Sequence, residues 1–121
     1  MANTFKVVTF AAEPNSAGTP YVVYTAGSGV TAVVLGLILT NINTAQVTAE
    51  VELVSDTGSR GGSNDVTNGT AFLAKDIPIP VGGSVELLSG NKVVLETTDQ
   101  IRIDCSVADK LSGALSVMEI T

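Results

Sequence analysis

The sequence predicts an all-β fold, an antiparallel β-sandwich of about 8 strands in a single domain that spans residues 1–121. Short runs of apolar and β-branched residues follow one another at close spacing, and segments rich in Gly, Asn, Ser and Pro separate them. The chain also lacks a helical hydrophobic period of useful length. Jelly-roll and immunoglobulin-like sandwiches both fit this pattern.

The individual strands are predicted from alternation or from continuous apolar runs. Residues 45–54 alternate clearly, which places Val51 and its neighbours in phase inward and Glu50 and Glu52 outward. Residues 30–41 hold the longest apolar run, about half the length that crosses a bilayer as a helix, so we predict a buried central strand. The other strands are predicted at 4–10, 21–25, 70–76, 84–88, 92–95, 100–107 and 114–120.

Two long connections are the candidate contact regions. Residues 11–20 are polar and bounded by prolines, and residues 55–69 have no periodicity. Long aperiodic connections in compact domains are often functional, and unpaired backbone is most available there. We therefore predict that both connections contact neighbouring chains. The candidate inter-subunit contacts are Glu13, Pro14, Asn15, Asp56, Arg60, Asn64, Asp65 and Asn68.

Two shorter connections carry predictions of their own. Residues 77–83 contain Pro78 and Pro80, and proline cannot donate to a sheet ladder, so we expect a stiff extended crossover at a sheet edge. Residues 108–113 are expected to make at most one turn between the last two strands.

The composition argues against most kinds of chemistry. Without histidine, the chain lacks the usual general base and a common zinc ligand, so we predict no catalytic residue, cofactor, metal or small-molecule substrate. The net charge is −6, and the six Lys and Arg residues form no basic stripe, which argues against a nucleic-acid partner. Cys105 lies in phase with Ile101 and Ile103, so we expect a buried, inert thiol.

Two arrangements of oxygen-bearing side chains contain the residue types of a catalytic or metal site. Glu50 and Glu52 share one strand face, but a solvated outer face explains them better than a catalytic pair. The connection 55–69 carries Asp and Asn side chains of the kind that bind calcium, yet their spacing does not match an EF-hand. Residues 58–63 lack the lysine and the following helix of a phosphate-binding loop.

Low charge and the N-terminal residues bear on location and assembly. Only 15% of the residues are charged, so neutral or apolar surface must remain, and such surface is commonly buried against other chains. The N-terminal residues 1–6 lack the pattern of an export signal. We expect self-association, synthesis in a cytoplasm and no membrane partner.

Three segments resemble small virion structural proteins of tailed bacteriophages, notably phages of marine bacteria and cyanobacteria. Residues 72–87 carry a crossover of lysine, proline, isoleucine, proline and glycine, and residues 92–103 carry a Leu-Glu turn that ends in aspartate. Residues 115–121 end in Glu-Ile-Thr, and residues 1–5 also look like these proteins. The resemblance covers about two-thirds of the chain. Thr98 departs from it, because the related turn often has glycine.

The resemblance implies a non-enzymatic structural protein of the virion, made in the cytoplasm of a bacterial host. The favoured role is a capsid decoration or cement protein that binds and stabilises the assembled head shell. Its implied partners are itself, as a homotrimer, and the major capsid protein. In that role an apolar or neutral underside would bind the shell, and an acidic face would point outward.

The sequence is also compatible with two other roles. One is a structural or adaptor protein of the tail, baseplate or fibre. The other is a carbohydrate-binding module for host attachment, which needs exposed aromatic side chains. The five aromatic residues fall mostly in core-like strands, so this role is disfavoured.

Overall fold

The computed structural model describes residues 2–55, 69–88, 90 and 92–121. Within these residues the chain forms nine strands and no helix. The strands are β1 (Asn3–Glu13), β2 (Tyr21–Thr25), β3 (Thr31–Asn41), β4 (Val47–Ser55), β5 (Gly69–Ile79), β6 (Ser84–Leu87), β7 (Val93–Leu95), β8 (Gln100–Cys105) and β9 (Leu111–Ile120). These described residues include no helix that is long and apolar enough to span a bilayer.

The strands make two antiparallel sheets. Sheet A has the order β1-β9-β3-β6, with β7 also paired to β3, and sheet B has the order β2-β8-β4-β5. From β1 to β4, each strand lies in the opposite sheet from the one before it. Immunoglobulin-like sandwiches instead keep their first two strands in one sheet, whereas the alternation seen here is that of a jelly roll. The predicted sandwich is confirmed, and the strand order selects the jelly roll.

The core lies between the two sheets and is formed by their inward-facing aliphatic side chains. In sheet A the pairing register sets Leu37 opposite Leu115, and in sheet B it sets Val51 opposite Ile103. All four side chains are buried. Cys105 is 3% exposed at the end of β8, which confirms the prediction of a buried thiol.

Several sequence predictions need correction. The strand predicted at 30–41 is central, but only one of its faces is buried, and Ile38 is 42% exposed. The last strand begins at Leu111, so residues 111–113 pair in the ladder instead of turning. Strand β8 ends at Cys105, and Val107 lies beyond it, 37% exposed. In each case the burial or the end of a strand depends on which strand pairs with it. The sequence of a single segment does not specify that neighbouring strand.

The proline-containing segment lies at a sheet edge, as predicted, but residues 77–79 pair with β4 instead of forming part of a crossover connection. Strand β5 extends to Ile79 and includes Pro78, and among the described strands it pairs with β4 alone. The missing N–H of Pro78 is tolerated because an edge strand needs ladder bonds on one side only. Asp76 adopts a positive φ of 51° near the irregular stretch of this ladder.

Candidate interaction surfaces

The outer face of sheet A carries an apolar row across four strands. Phe5 of β1 lies opposite Met118 of β9, Met118 lies opposite Val33 of β3, and Val33 lies opposite Val94 of β7. Residues directly opposite one another in an antiparallel sheet point to the same face. Phe5 is 71% exposed and Val94 is 56% exposed, so the two ends of this row are open to solvent.

A second part of the same face lies around a register shift in β3. Strand β7 pairs with residues 32–34 of β3 and β6 pairs with residues 37–40, and the ladder to β9 shifts between Val34 and Gly36. Residues of β3, β6 and β9 line a cavity of about 380 Å³ beside this shift, with Gly36, Ile38 and Ala114 among them. The missing side chain of Gly36 helps to form this depression, which is mostly apolar.

Charge is nearly absent from this surface. The outward positions of β1, β9 and β3 carry small polar or apolar side chains, while Lys6 and Glu119 point to the other side of sheet A. Glu86, opposite Ile38, supplies a carboxylate at the rim. We call the surface the apolar face and define it by Phe5, Val7, Val33, Ile38, Val94, Ala114 and Met118.

The outer face of sheet B has the opposite character, because charged side chains cover it and pair with one another. Arg102 Nη2 lies 2.8 Å from Glu52 Oε2, and Lys75 Nζ lies 2.8 Å from Glu50 Oε1. Lys75 also lies 4.6 Å from the centre of the Phe72 ring. The hydrogen bond to Glu50 raises the pKa of Lys75 above its ordinary value.

The predicted solvated pair of carboxylates is therefore ion-paired. Glu50 is half-buried beside Lys75, and Glu52 is only 7% exposed because it lies opposite both Arg102 and Phe72. No group of three or more acidic, Cys or His side chains in the described part of the chain is arranged to hold a metal ion.

A second cavity, of about 360 Å³, has Glu50 in its lining. Asp104 in its lining accepts hydrogen bonds from the backbone N–H of Gly18, at 3.1 Å, and of Cys105, at 2.8 Å. The carboxylate of Asp104 thus holds the connection 11–20 against sheet B. This gives Asp104 a structural role.

The predicted contact residues divide into two groups. Glu13 is half-buried at the end of β1, Pro14 is buried and its carbonyl accepts the N–H of Asp109 at 2.8 Å, and Asn15 is exposed. These three lie together at one end of the sandwich. The other candidates lie outside the described residues; they are Asp56, Arg60, Asn64, Asp65 and Asn68.

The residues of the apolar face are not evident from the sequence. Residues 3–10 have apolar side chains in both phases, since Phe5 and Val7 alternate with Val8 and Phe10, so the pattern does not show which pair is inward. The low overall charge was the available signal. Of the aromatic residues, Phe10 and Tyr24 are buried as expected, whereas Phe5 and Phe72 are at least half exposed.

Comparisons with known proteins identify the fold. No protein-family model matches the sequence, and no curated protein does. A chain of the IBDV viral particle matches with a TM-score of 0.52 and 12% identity, over 96% of this chain and 31% of that chain. VP2 of the infectious bursal disease virus subviral particle matches with a TM-score of 0.51 and 15% identity, over 96% of this chain and 32% of that one.

A third match comes from Bacillus endospore appendages, described as disulfide-linked pili. Its TM-score of 0.46, at 16% identity over 99% of this chain and 87% of that chain, is too low to support a functional inference. The chain spans about a third of the length of the two viral chains. The likeness to them shows that this jelly roll shares its fold with part of the proteins of a virus particle.

Proposed function

We propose that the protein is a non-enzymatic structural protein of a virion and that it decorates the assembled head shell. The observation that carries the proposal is the contrast between the two broad surfaces of the sandwich. The outer face of sheet A is apolar and almost uncharged, whereas the outer face of sheet B carries paired charges with an acidic excess. Such a molecule binds through one side and shows its charged side to water.

The size of the apolar face suits a repeated, individually modest contact. Strands β1, β9 and β3 contribute about eight residues each, and β6 and β7 share the fourth position, which gives a surface of roughly 20 by 25 Å, or about 500 Å² per partner. That area is near the lower limit for a specific interface. Ligands that bind only the assembled shell stabilise it by mass action, and many copies add their effects.

Two independent likenesses support a structural role in a virion. The fold is shared with chains of a virus particle, and the sequence resembles virion structural proteins of tailed phages. The partner that we propose is the major capsid protein, which would present a complementary apolar and uncharged patch only in the assembled shell. A tail, baseplate or fibre adaptor is the second structural candidate, and copy number in the virion separates the two.

Shell binding is tested with a matched pair of variants. Val94→Lys places a charge on the apolar face, and Val81→Lys places the same charge at a turn outside both sheets, where the valine is equally open at 59% exposure. We expect Val94→Lys to lower occupancy on decoration-free shells at least tenfold in co-sedimentation, because the charge would be desolvated on binding. Val81→Lys is expected to bind like the wild type.

Four outcomes contradict the proposal. Equal binding of both variants would show that the apolar face does not contact the shell. A wild-type protein that does not bind shells would refute the decoration role. Particle reconstruction that finds the protein only in the tail would support the adaptor role instead. Glycan binding through the exposed Phe5 or Phe72 would support host attachment.

The predicted loop contacts need a separate variant. Deleting residues 58–63 is expected to leave the monomer folded and to weaken attachment. A deletion variant that attaches as well as the wild type would exclude this loop from the contact.

A further inference from the structure

From Asn3 to Phe10, strand β1 is a sheet edge without the usual protective features, and its register shift against β9 lies beyond this stretch, between Phe10 and Glu13. It has eleven residues and, among the described strands, pairs with β9 alone. Between Asn3 and Ala12 it contains no proline and a single charge, Lys6. Natural proteins usually protect such an edge with prolines, charges or bulges. The edge strand β5 has them, with Pro78, Lys75 and Asp76, whereas β2, the other edge of sheet B, is only five residues long.

The hydrogen bonds at the chain ends show which backbone groups of β1 are open. Ala2 N–H donates to Thr121 O at 3.3 Å, and Thr121 N–H donates to Ala2 O at 3.0 Å. This is a hydrogen-bonded pair, and such pairs alternate along an antiparallel ladder. The register continues without a shift to Phe10, so the even-numbered residues of β1 bond to β9. The N–H and C=O groups of Asn3, Phe5, Val7 and Thr9 therefore point out of the sheet.

The side chains at this edge are open as well. Every residue from Asn3 to Val7 is exposed, and Val7 is 63% exposed. Phe5 and Val7 belong to the apolar face, so the open backbone and the apolar side chains come from the same residues. A strand that joins here would satisfy the backbone groups and extend the apolar face.

We propose that β1 pairs antiparallel with β1 of a second copy of this chain, about a two-fold axis at Val7. In that register Val7 lies opposite the partner's Val7, and Phe5 lies opposite the partner's Thr9, an aromatic and β-branched pair of the kind that stabilises sheets. An axis one residue earlier would set Lys6 opposite the partner's Lys6, and an axis at Phe5 would shorten the overlap.

Charge favours a second copy at this edge. Each copy carries a net charge of −6, and two such molecules repel unless they meet where acidic groups are few. Lys6 is neutralised within its own subunit by Glu119, at 2.8 Å, and Glu13 is the only carboxylate of β1. The β1 edge thus lets two acidic molecules approach closely. The paired dimer would have one continuous sheet and an apolar face twice as wide.

The register is tested by disulfide trapping. Across a hydrogen-bonded pair the Cα atoms lie about 5.5 Å apart, within the range that a disulfide spans. Val7→Cys is therefore expected to form a covalent dimer on mild oxidation. Phe5→Cys is the matched control, because its two copies would be offset by about 13 Å along the strands and should not join. The native Cys105 is buried.

Sedimentation and hydrogen exchange test the pairing itself. The wild type is expected to dimerise across a concentration series, and the amides of Asn3, Phe5, Val7 and Thr9 should gain protection with concentration. Val7→Lys should abolish the dimer, because it sets two cations opposite each other at the axis. Val94→Lys should still dimerise although it no longer binds shells. The β1 pairing and the proposed function can therefore be tested, and refuted, independently of each other.

Four results would overturn the pairing. They are a wild type that remains monomeric at every concentration, a Val7→Lys variant that dimerises normally, a Phe5→Cys variant that crosslinks as well as Val7→Cys, and a trimer in which the β1 amides exchange freely. The last result would match the trimer implied by the phage resemblance. Protection of these amides only after shells are added would assign the edge to a strand of the shell protein.

Discussion

Adding one methyl group at Gly113 should destabilise the sandwich severely. Gly113 lies in β9 between Phe10 of β1 and Leu39 of β3. A Cβ at this position would lie 2.1 Å from the carbonyl oxygen of Ile38 and 2.7 Å from Cζ of Phe10. Both distances are far below van der Waals contact, and a backbone oxygen in a paired strand cannot rotate away. Gly113→Ala must therefore shift β3 against β9.

The expected loss is about 3 kcal/mol of unfolding free energy. Overpacking a core typically costs about 1–3 kcal/mol and occasionally more, and we expect about 3.5–4 kcal/mol before compensation because backbone as well as ring must move. Replacing glycine by alanine offsets about 0.4–1 kcal/mol of this cost, because alanine restricts the conformations of the unfolded chain. With a urea m-value of about 1.5 kcal/mol/M, the unfolding midpoint should fall by about 2 M.

Gly36→Ala is the matched control in the same sheet. Its Cβ would meet nothing closer than the carbonyl oxygen of Leu87 at 4.0 Å, an ordinary contact. Its midpoint should stay within about 0.5 M of the wild type. Urea unfolding followed by circular dichroism measures both variants. If Gly113→Ala were as stable as Gly36→Ala, the close approach of β3 and Phe10 to Gly113 would be refuted.

Three further predictions concern the loops and one ion pair. Asn41 is 2% exposed and its amide donates to backbone carbonyls of Ala45 and Ile79 at 3.0 and 2.9 Å, so Asn41→Ala should lower the unfolding free energy by about 2–3 kcal/mol in urea titration. Thr98 has a φ of 74°, a conformation that glycine adopts more easily than threonine. Thr98→Gly should therefore stabilise the protein by about 0.5–1 kcal/mol and raise the melting temperature by a few degrees. A lower melting temperature would refute backbone strain at Thr98. The hydrogen bond from Lys6, and then that from Tyr24, lowers the pKa of Glu119 below its ordinary 4.5. Stability from Glu119 is therefore complete above pH 4.5 and is lost as the pH falls through the lowered pKa, and Lys6→Gln should weaken this pH dependence in acid unfolding.

The sequence predicted the strands well where alternation was strict. Along β4, the inward phase of Val47, Ala49 and Val51 is confirmed, since all three are buried. The prediction that the outward side chains of β4 are solvated is only partly correct. Glu52 lies on the outer face but is nearly buried, because Arg102 and Phe72 cover it from neighbouring strands. Cross-strand neighbours come from distant segments, so local alternation does not reveal them.

The candidate surface was harder to predict than the fold. Its outermost members come from strands far apart in the chain, β1, β3 and β7, and only the register of the assembled sheet aligns Phe5, Val33 and Val94. The long apolar run of β3 is compatible with a strand buried on both faces as well as with one that has an exposed apolar face. A strand buried on both faces and a strand buried on one face differ in whether another layer covers the outer face of sheet A. The topology decides this.

The position of β9 governs the order in which the sandwich can form. Strand β9 lies between β1 and β3, and among the described strands it alone joins β1 to the rest of sheet A. A ribosome releases β1 and β3 well before it reaches Leu111, and throughout that interval both apolar strands lack their shared neighbour. Contacts this distant in sequence form slowly, and unpaired strands are prone to aggregate while they wait. High-level production should therefore depend on temperature and chaperones, and any shortening within β9 should yield insoluble chains.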